Sequence, residues 1–165
     1  MILFHGSTYE IREPNVSFSK KNLDFGSAFY MTAYRQQAEK WALRKAVRQR
    51  RLPILNVYEI TDDWSPCKTL VFEDTNVQWL DFVCSCRNGE PIYLDYDLVQ
   101  GPVADDAVFK AVDLYRRGIW DAERTLRELR FFAPNTQTAI ISQEMIEKTL
   151  TFKEAKFLEV EDDGL

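Results

Sequence analysis

The chain holds a single histidine, His5, and it closes a short apolar run, Met1-Ile2-Leu3-Phe4-His5-Gly6-Ser7. A lone imidazole either tips a core side chain with a polar end or offers a hydrogen-bonding and proton-transferring group near neutral pH. Gly6 has no Cβ, so the backbone there can approach a second group closely. Ser7 adds a hydroxyl. A second concentration of permissive and aromatic residues follows at Phe25-Gly26-Ser27-Ala28-Phe29-Tyr30-Met31-Thr32, where three small residues allow a tight turn ahead of the aromatics. A third feature is charge. Arg35, Lys40, Arg44, Lys45, Arg48, Arg50 and Arg51 stand against one acid, Glu39, in a chain whose net charge is -5. Such a stretch is a solvated face, or a surface for a phosphate or an acidic partner. Cys84-Ser85-Cys86 has no second cysteine pair and no nearby histidine, so no metal site is expected.

The elements that must hold these residues follow from periodicity. Met1 to Phe4 reads as a buried first strand with His5 at its exit. Tyr9 to Asp24 reads as a connector, and Phe29 to Met31 as a second strand. Tyr34 to Arg51 reads as a helix, because Tyr34, Ala38, Trp41, Ala42 and Ala46 form one apolar stripe. Strands are expected at 54–60, 68–72 and 91–100, the last by its alternation of Ile92, Leu94, Tyr96 and Leu98. Gly101-Pro102 is expected to break it. Helices are expected after Asp74 or Thr75, after Asp105-Asp106, after Asp121 and after Ser142, each residue suited to capping. Strands at 136–141 and 156–160 complete the set, with a frayed acidic tail beyond. The result is one α+β domain over residues 1–165, with a split, mostly antiparallel sheet and flanking helices.

Composition narrows the function. At 45% hydrophobic and 28% charged residues the chain has the balance of a folded globular domain rather than a disordered one. Three cysteines make no disulfide framework and point to a reducing compartment. No apolar run nears the ~20 residues of a membrane span, and the N-terminus has no signal-peptide pattern. The expected location is the cytoplasm. The acidic balance argues against a whole-surface nucleic-acid binder.

His5-Gly6-Ser7 together with Phe25-Gly26-Ser27-Ala28-Phe29-Tyr30 resembles the ADP-ribosyltransferase superfamily. The closest branch is the one marked by a histidine, a tyrosine and a glutamate, which includes the poly(ADP-ribose) polymerases and diphtheria-type toxins. Trp41 stands eleven residues after Tyr30, where that branch often carries a further aromatic. The chain is more similar still to an uncharacterised bacterial domain family of this superfamily. The shared stretches are Trp79-Leu80-Asp81-Phe82-Val83, the run from Tyr96 through Gly101-Pro102-Val103-Ala104-Asp105-Asp106, and Gln137-Thr138-Ala139-Ile140. Members of that family are often encoded beside small genes of antitoxin type.

The resemblance implies an ADP-ribosyltransferase-type core with NAD as co-substrate. His5 would hydrogen-bond a ribose hydroxyl. The Gly6 backbone would pair with the nicotinamide amide, with Ser7 as a further partner. Tyr30 and Trp41 would hold the nicotinamide ring, with Phe29 beside them, and Arg44 or Lys45 would neutralise the diphosphate. His5, Tyr30 and Gln137 are the implied catalytic set. Gln137 stands where the branch has its glutamate; it keeps an acceptor but loses the charge that would stabilise an oxocarbenium-like ribose. Mono-ADP-ribosylation with nicotinamide release is therefore the most the resemblance implies, with NAD hydrolysis as a side activity. Asp97, Asp105 and Asp106 are alternative acids, and Gln137→Glu is a route to more activity. A bacterial toxin acting on a protein or nucleic-acid acceptor, and held by an antitoxin, is the implied setting. Competing readings are a module that binds NAD or ADP-ribose without chemistry and, further off, an RNA 2′-phosphotransferase.

Overall fold

The structure, a computed structural model, describes residues 1–104, 106–130 and 135–159, with the side chains of 106 and 107 left out. In chain order the elements are β1 (Ile2–Ser7), β2 (Phe29–Met31), α1 (Arg35–Gln49), β3 (Ile54–Ile60), β4 (Thr69–Val71), α2 (Val77–Arg87), β5 (Leu98–Pro102), α3 (Asp106–Arg116), α4 (Ala122–Leu129), β6 (Thr136–Ile140), α5 (Gln143–Thr149) and β7 (Leu150–Phe157). The fold is α+β. The strands form two sheets, in the orders β1-β3-β7 and β2-β6-β5-β4, antiparallel throughout except for the parallel pair β4 and β5.

One isolated bridge joins the two sheets edge to edge. Phe4 and Thr32 exchange both backbone hydrogen bonds, at 2.8 and 3.0 Å. Behind that seam both sheets contribute to one core of Leu3, Phe29, Met31, Tyr58, Ile60, Leu98 and Ile140, closed by Met145 and Ile146 of α5. A second core lies under the larger sheet, where Val99, Ala139 and Phe25 meet Trp79, Leu80 and Val83 of α2 and Val112 of α3.

Local chemistry explains most boundaries. Asp121 caps α4 by accepting from the Arg124 N–H, and Ser142 caps α5 by accepting from the Met145 N–H, as expected. For α2 the cap is Asn76, one or two residues later than expected, accepting from the Trp79 N–H at 2.9 Å.

Several expectations need correction. His5 lies inside β1, not at its exit, because β1 runs on to Ser7 against Ile54 of β3. Residues 91–95 are a 3₁₀ turn rather than a strand; Pro91 fits its first turn, and the alternation of Ile92 and Leu94 only imitates a strand period. Gly101-Pro102 ends β5 from within. Pro102 lies beyond the reach of β4, and its carbonyl takes the buried Trp79 indole N–H at 3.0 Å. β7 begins at Leu150, directly after α5, not at Lys156. In β3 every residue but Glu59 is buried, since this central strand is covered on both faces. The Asn56 side chain there holds the connector, accepting from the Ile11 N–H and donating to the Tyr9 carbonyl. Asp105, Val160 and the acidic tail lie outside the described residues. Among the described residues no helix is long and apolar enough to cross a membrane.

Candidate functional site

The site is built where the ladder between the two sheets stops. In an antiparallel ladder alternate residues point their N–H and C=O groups to the same side. Phe4 points them at Thr32, so Gly6, two residues on, points them the same way, into the space between β1 and β2. Tyr30 does the same from β2. A continued ladder would pair Gly6 with Tyr30. Instead, side chains take both carbonyls. The Nδ1 of His5 lies 2.6 Å from the Tyr30 carbonyl oxygen, and the Nζ of Lys45 donates to the Gly6 carbonyl at 2.7 Å. One bridge, then, holds the seam shut at Phe4, and an imidazole and an ammonium fill its open end.

Gly6 is dictated by helix packing. A Cβ there would stand 2.0 Å from the Ala38 carbonyl oxygen and 2.6 Å from the Ala42 nitrogen, so α1 can lie on β1 only because residue 6 is glycine and residues 38 and 42 are small. The close approach expected at Gly6 is real, and its partner is the backbone of α1. That seat sets which face of α1 overlooks the seam. Lys45 reaches the Gly6 carbonyl, and Trp41 and Gln37 lie one and two turns behind it on the same stripe.

A carbonyl oxygen cannot donate, so His5 must carry its proton on Nδ1 and leave Nε2 as an acceptor. Burial, and then the charge of Lys45, hold the imidazole pKa down to about 3, against a small opposing effect of the Tyr30 carbonyl. The ring is also stacked on Phe29 at 4.6 Å, and Phe29 in turn meets Tyr58 edge-on. His5 is therefore neutral, oriented and partly exposed at physiological pH. Lys45 is pushed down to about 8, first by burial and then by Lys20 and Arg48. Its ammonium, expected to neutralise a diphosphate, rests here on the Gly6 carbonyl.

Tyr30 has a structural task at its far end. Its hydroxyl donates to the Gly26 carbonyl at 2.7 Å and accepts from the Phe25 N–H at 2.9 Å, and burial raises its pKa well above the usual value. Gly26 holds a positive φ of 78° under the Tyr93 ring, which only glycine fits. The ring of Tyr30, not its hydroxyl, is what remains to meet a ligand.

Gln137 is buried in β6 on the same sheet face as Tyr30, since Tyr30 opposes Ala139 and residues 137 and 139 share a face. Its Nε2 donates to Oδ2 of Asp24 at 3.2 Å. Asp24 also takes Arg87 on Oδ1, at 2.9 and 2.5 Å, and the Ala104 N–H on Oδ2. Asp24 and Arg87 were not legible as site residues; one adjoins the Phe25-Gly26 turn that grips Tyr30, the other ends α2.

The expected residues therefore do not form one cluster. His5, Gly6, Tyr30 and the stripe of α1 that carries the partly exposed Trp41 meet at the seam. Phe29 is a core ring between His5 and Tyr58. Ser7 is buried, and its Oγ accepts from the Tyr9 N–H at 3.3 Å. Gln137 sits in a separate polar knot with Asp24 and Arg87. Asp97 is spent on a turn, its carboxylate taking the Lys68 N–H at 2.7 Å and its carbonyl the Ile141 N–H. Asp105 lies outside the described residues, as does the Asp106 side chain. Of the basic residues of α1 and its end, Arg35 pairs with Glu39, Lys45 turns to Gly6, and the Arg51 guanidinium lies 4.1 Å over the Tyr9 ring.

A family model described as "Protein of unknown function (DUF3990)" matches residues 1–152, which takes in the seam, the stripe and the polar knot. The chain belongs to the DUF3990 family. No curated protein matches it. The DUF3990 match ends inside β7, so every residue discussed at the seam and the knot is part of the family domain.

Proposed function

We propose that this DUF3990 domain is an NAD-dependent mono-ADP-ribosyltransferase with an ADP-ribosyltransferase-type core. The observation that carries the reading is the interrupted ladder at Gly6 and Tyr30. It leaves the Gly6 and Tyr30 carbonyls bonded to side chains instead of to the facing strand, beside an oriented, neutral histidine. A carboxamide needs a donor and an acceptor in one plane, and a glycine edge supplies both without steric cost. To use it, the ligand displaces Lys45 from the Gly6 carbonyl. His5 Nε2 accepts a ribose hydroxyl, and the rings of Tyr30 and Trp41 hold the nicotinamide. In the transfer the ribose–nicotinamide bond breaks with its electron pair leaving on nicotinamide. The acceptor forms the new bond to the ribose carbon and gives up a proton. Gln137, implied as the third catalytic residue, is held by Asp24 in a knot apart from the seam, so no step of the transfer is assigned to it.

The acceptor is a macromolecule, protein or nucleic acid, and the setting is a bacterial toxin or defence protein restrained by an acidic antitoxin on the basic side of α1. The location is the cytoplasm, in keeping with three free cysteines. The test is nicotinamide release from NAD by the purified chain, with His5→Ala as control. A second reading is a module that binds NAD or ADP-ribose without turnover. The Asp24–Arg87 pair favours it, because a neutral glutamine tied to an already paired carboxylate adds little charge to a transition state. Saturable binding with no nicotinamide release identifies that case.

A further inference from the structure

Gln37 is buried on α1 with its carboxamide unpaired. Among the described residues it is the one side chain whose buried polar atoms, Oε1 and Nε2 alike, have no hydrogen-bond partner. Gln37 is only 8% exposed, and it lies in the first turns of α1. A buried carboxamide with neither its donors nor its acceptor satisfied is costly, and such groups persist where something else supplies the partner. Its position says where that partner comes from. Gln37, Trp41 and Lys45 recur at i, i+4 and i+8, so they share the stripe of α1 that reaches the Gly6 carbonyl. The stripe thus carries, in order, a buried unpaired amide, a partly exposed indole and an ammonium.

We infer that Gln37 is a ligand-reading residue. It recognises an edge with a donor next to an acceptor on a flat ring lying along Trp41. A carboxamide side chain pairs such an edge with two hydrogen bonds, as glutamine does with adenine. The inference rests on the NAD reading and deepens it: the nicotinamide carboxamide keeps a second N–H and a second lone pair beyond those paired with Gly6, and adenine carries an amino edge of the same kind. Gln37 thereby becomes the residue that sets specificity, with Gly6 and His5 doing the positioning.

The experiment is calorimetric titration of the purified chain, wild type and Gln37→Leu, with NAD, ADP-ribose and two NAD analogues. One analogue has a carboxylate for the carboxamide, the other hypoxanthine for adenine. The wild type is expected to bind NAD and to bind one analogue at least tenfold more weakly, which names the edge that Gln37 reads. Gln37→Leu is expected to lose about tenfold or more in NAD affinity, to stop discriminating against that same analogue, and to melt no lower than wild type without ligand. Gln37→Met, of similar length and unbranched, carries the same test if leucine is not accommodated. A variant that binds NAD as wild type does, or retains the discrimination, overturns the assignment of Gln37 and leaves the NAD reading standing. So does a clear fall in the ligand-free melting temperature of both variants, which marks a structural glutamine. A wild-type chain that binds neither NAD nor ADP-ribose overturns both.

Discussion

His5 is the only histidine, so its imidazole signals in a proton–nitrogen correlation spectrum need no assignment. The structure holds its pKa at about 3 against an ordinary 6.5, with burial as the larger cause and Lys45 as the second. The perturbation is acid, from pH 7 to pH 5. Below 6.5 the unfolded chain takes up a proton at this site, and the folded chain does not until about pH 3. The unfolded state therefore gains on the folded one as pH falls, and above pH 7 the site makes no difference. At about 1.4 kcal/mol per unit, the 1.5 units between 6.5 and 5 amount to about 2 kcal/mol of stability lost through His5. Carboxylates titrate too, so the quantity to measure is the stability difference between wild type and His5→Gln, by urea denaturation at both pH values. It should move by about 2 kcal/mol against the wild type on going to pH 5. In the spectra, Nδ1 should stay protonated and Nε2 bare down to pH 5. Lys45→Met should raise the imidazole pKa yet leave it below 6.5, because burial remains. A wild-type imidazole that titrates near 6.5, or one indifferent to Lys45→Met, would refute the geometry drawn for the seam.

Two further substitutions bear on the same architecture. Gly6→Ala puts a methyl against the backbone of α1 at Ala38 and Ala42, where no side chain can swing aside, so a loss of about 3 kcal/mol is expected in chemical denaturation; a loss under 0.5 kcal/mol would mean that α1 is not seated there. Gln137→Glu sets a second carboxylate against Asp24 and removes the N–H that Asp24 accepts. It should cost about 2 kcal/mol at pH 7.5, and the deficit relative to wild type should shrink toward pH 5, as the raised pKa lets the pair share a proton. A fully stable Gln137→Glu at pH 7.5 would separate Gln137 from the Asp24 knot.

Much of the fold was legible because its determinants are local. Phe29–Met31 and Ile54–Ile60 stand where aromatic and β-branched runs put them, and Asp121 and Ser142 cap the helices that follow them. Elements whose form depends on distant partners were harder to read. Residues 91–95 carry a strand-like alternation on a 3₁₀ turn, and Gly101-Pro102 looks like a break until Trp79 and Phe72 are seen to pack on it. The seam divides in the same way. The pairing of His5-Gly6-Ser7 with the Phe25 to Tyr30 segment pointed to it. The bond of Lys45 to Gly6 spans 39 residues and that of Gln137 to Asp24 spans 113, so Gly6, Lys45 and Gln137 were legible singly but not their partners. Gln37 reads as one more polar residue of a basic helix, and its burial is visible only in the structure.

The proposal that the seam is an NAD-cleaving site is tested most directly by nicotinamide release. The purified chain is incubated with NAD, alone and with cell lysate as a source of acceptors, beside a His5→Ala chain verified as folded by its melting curve. The wild type should release nicotinamide, and the variant should lose that release. Release that persists in His5→Ala, or a wild type that releases no nicotinamide under either condition, contradicts it.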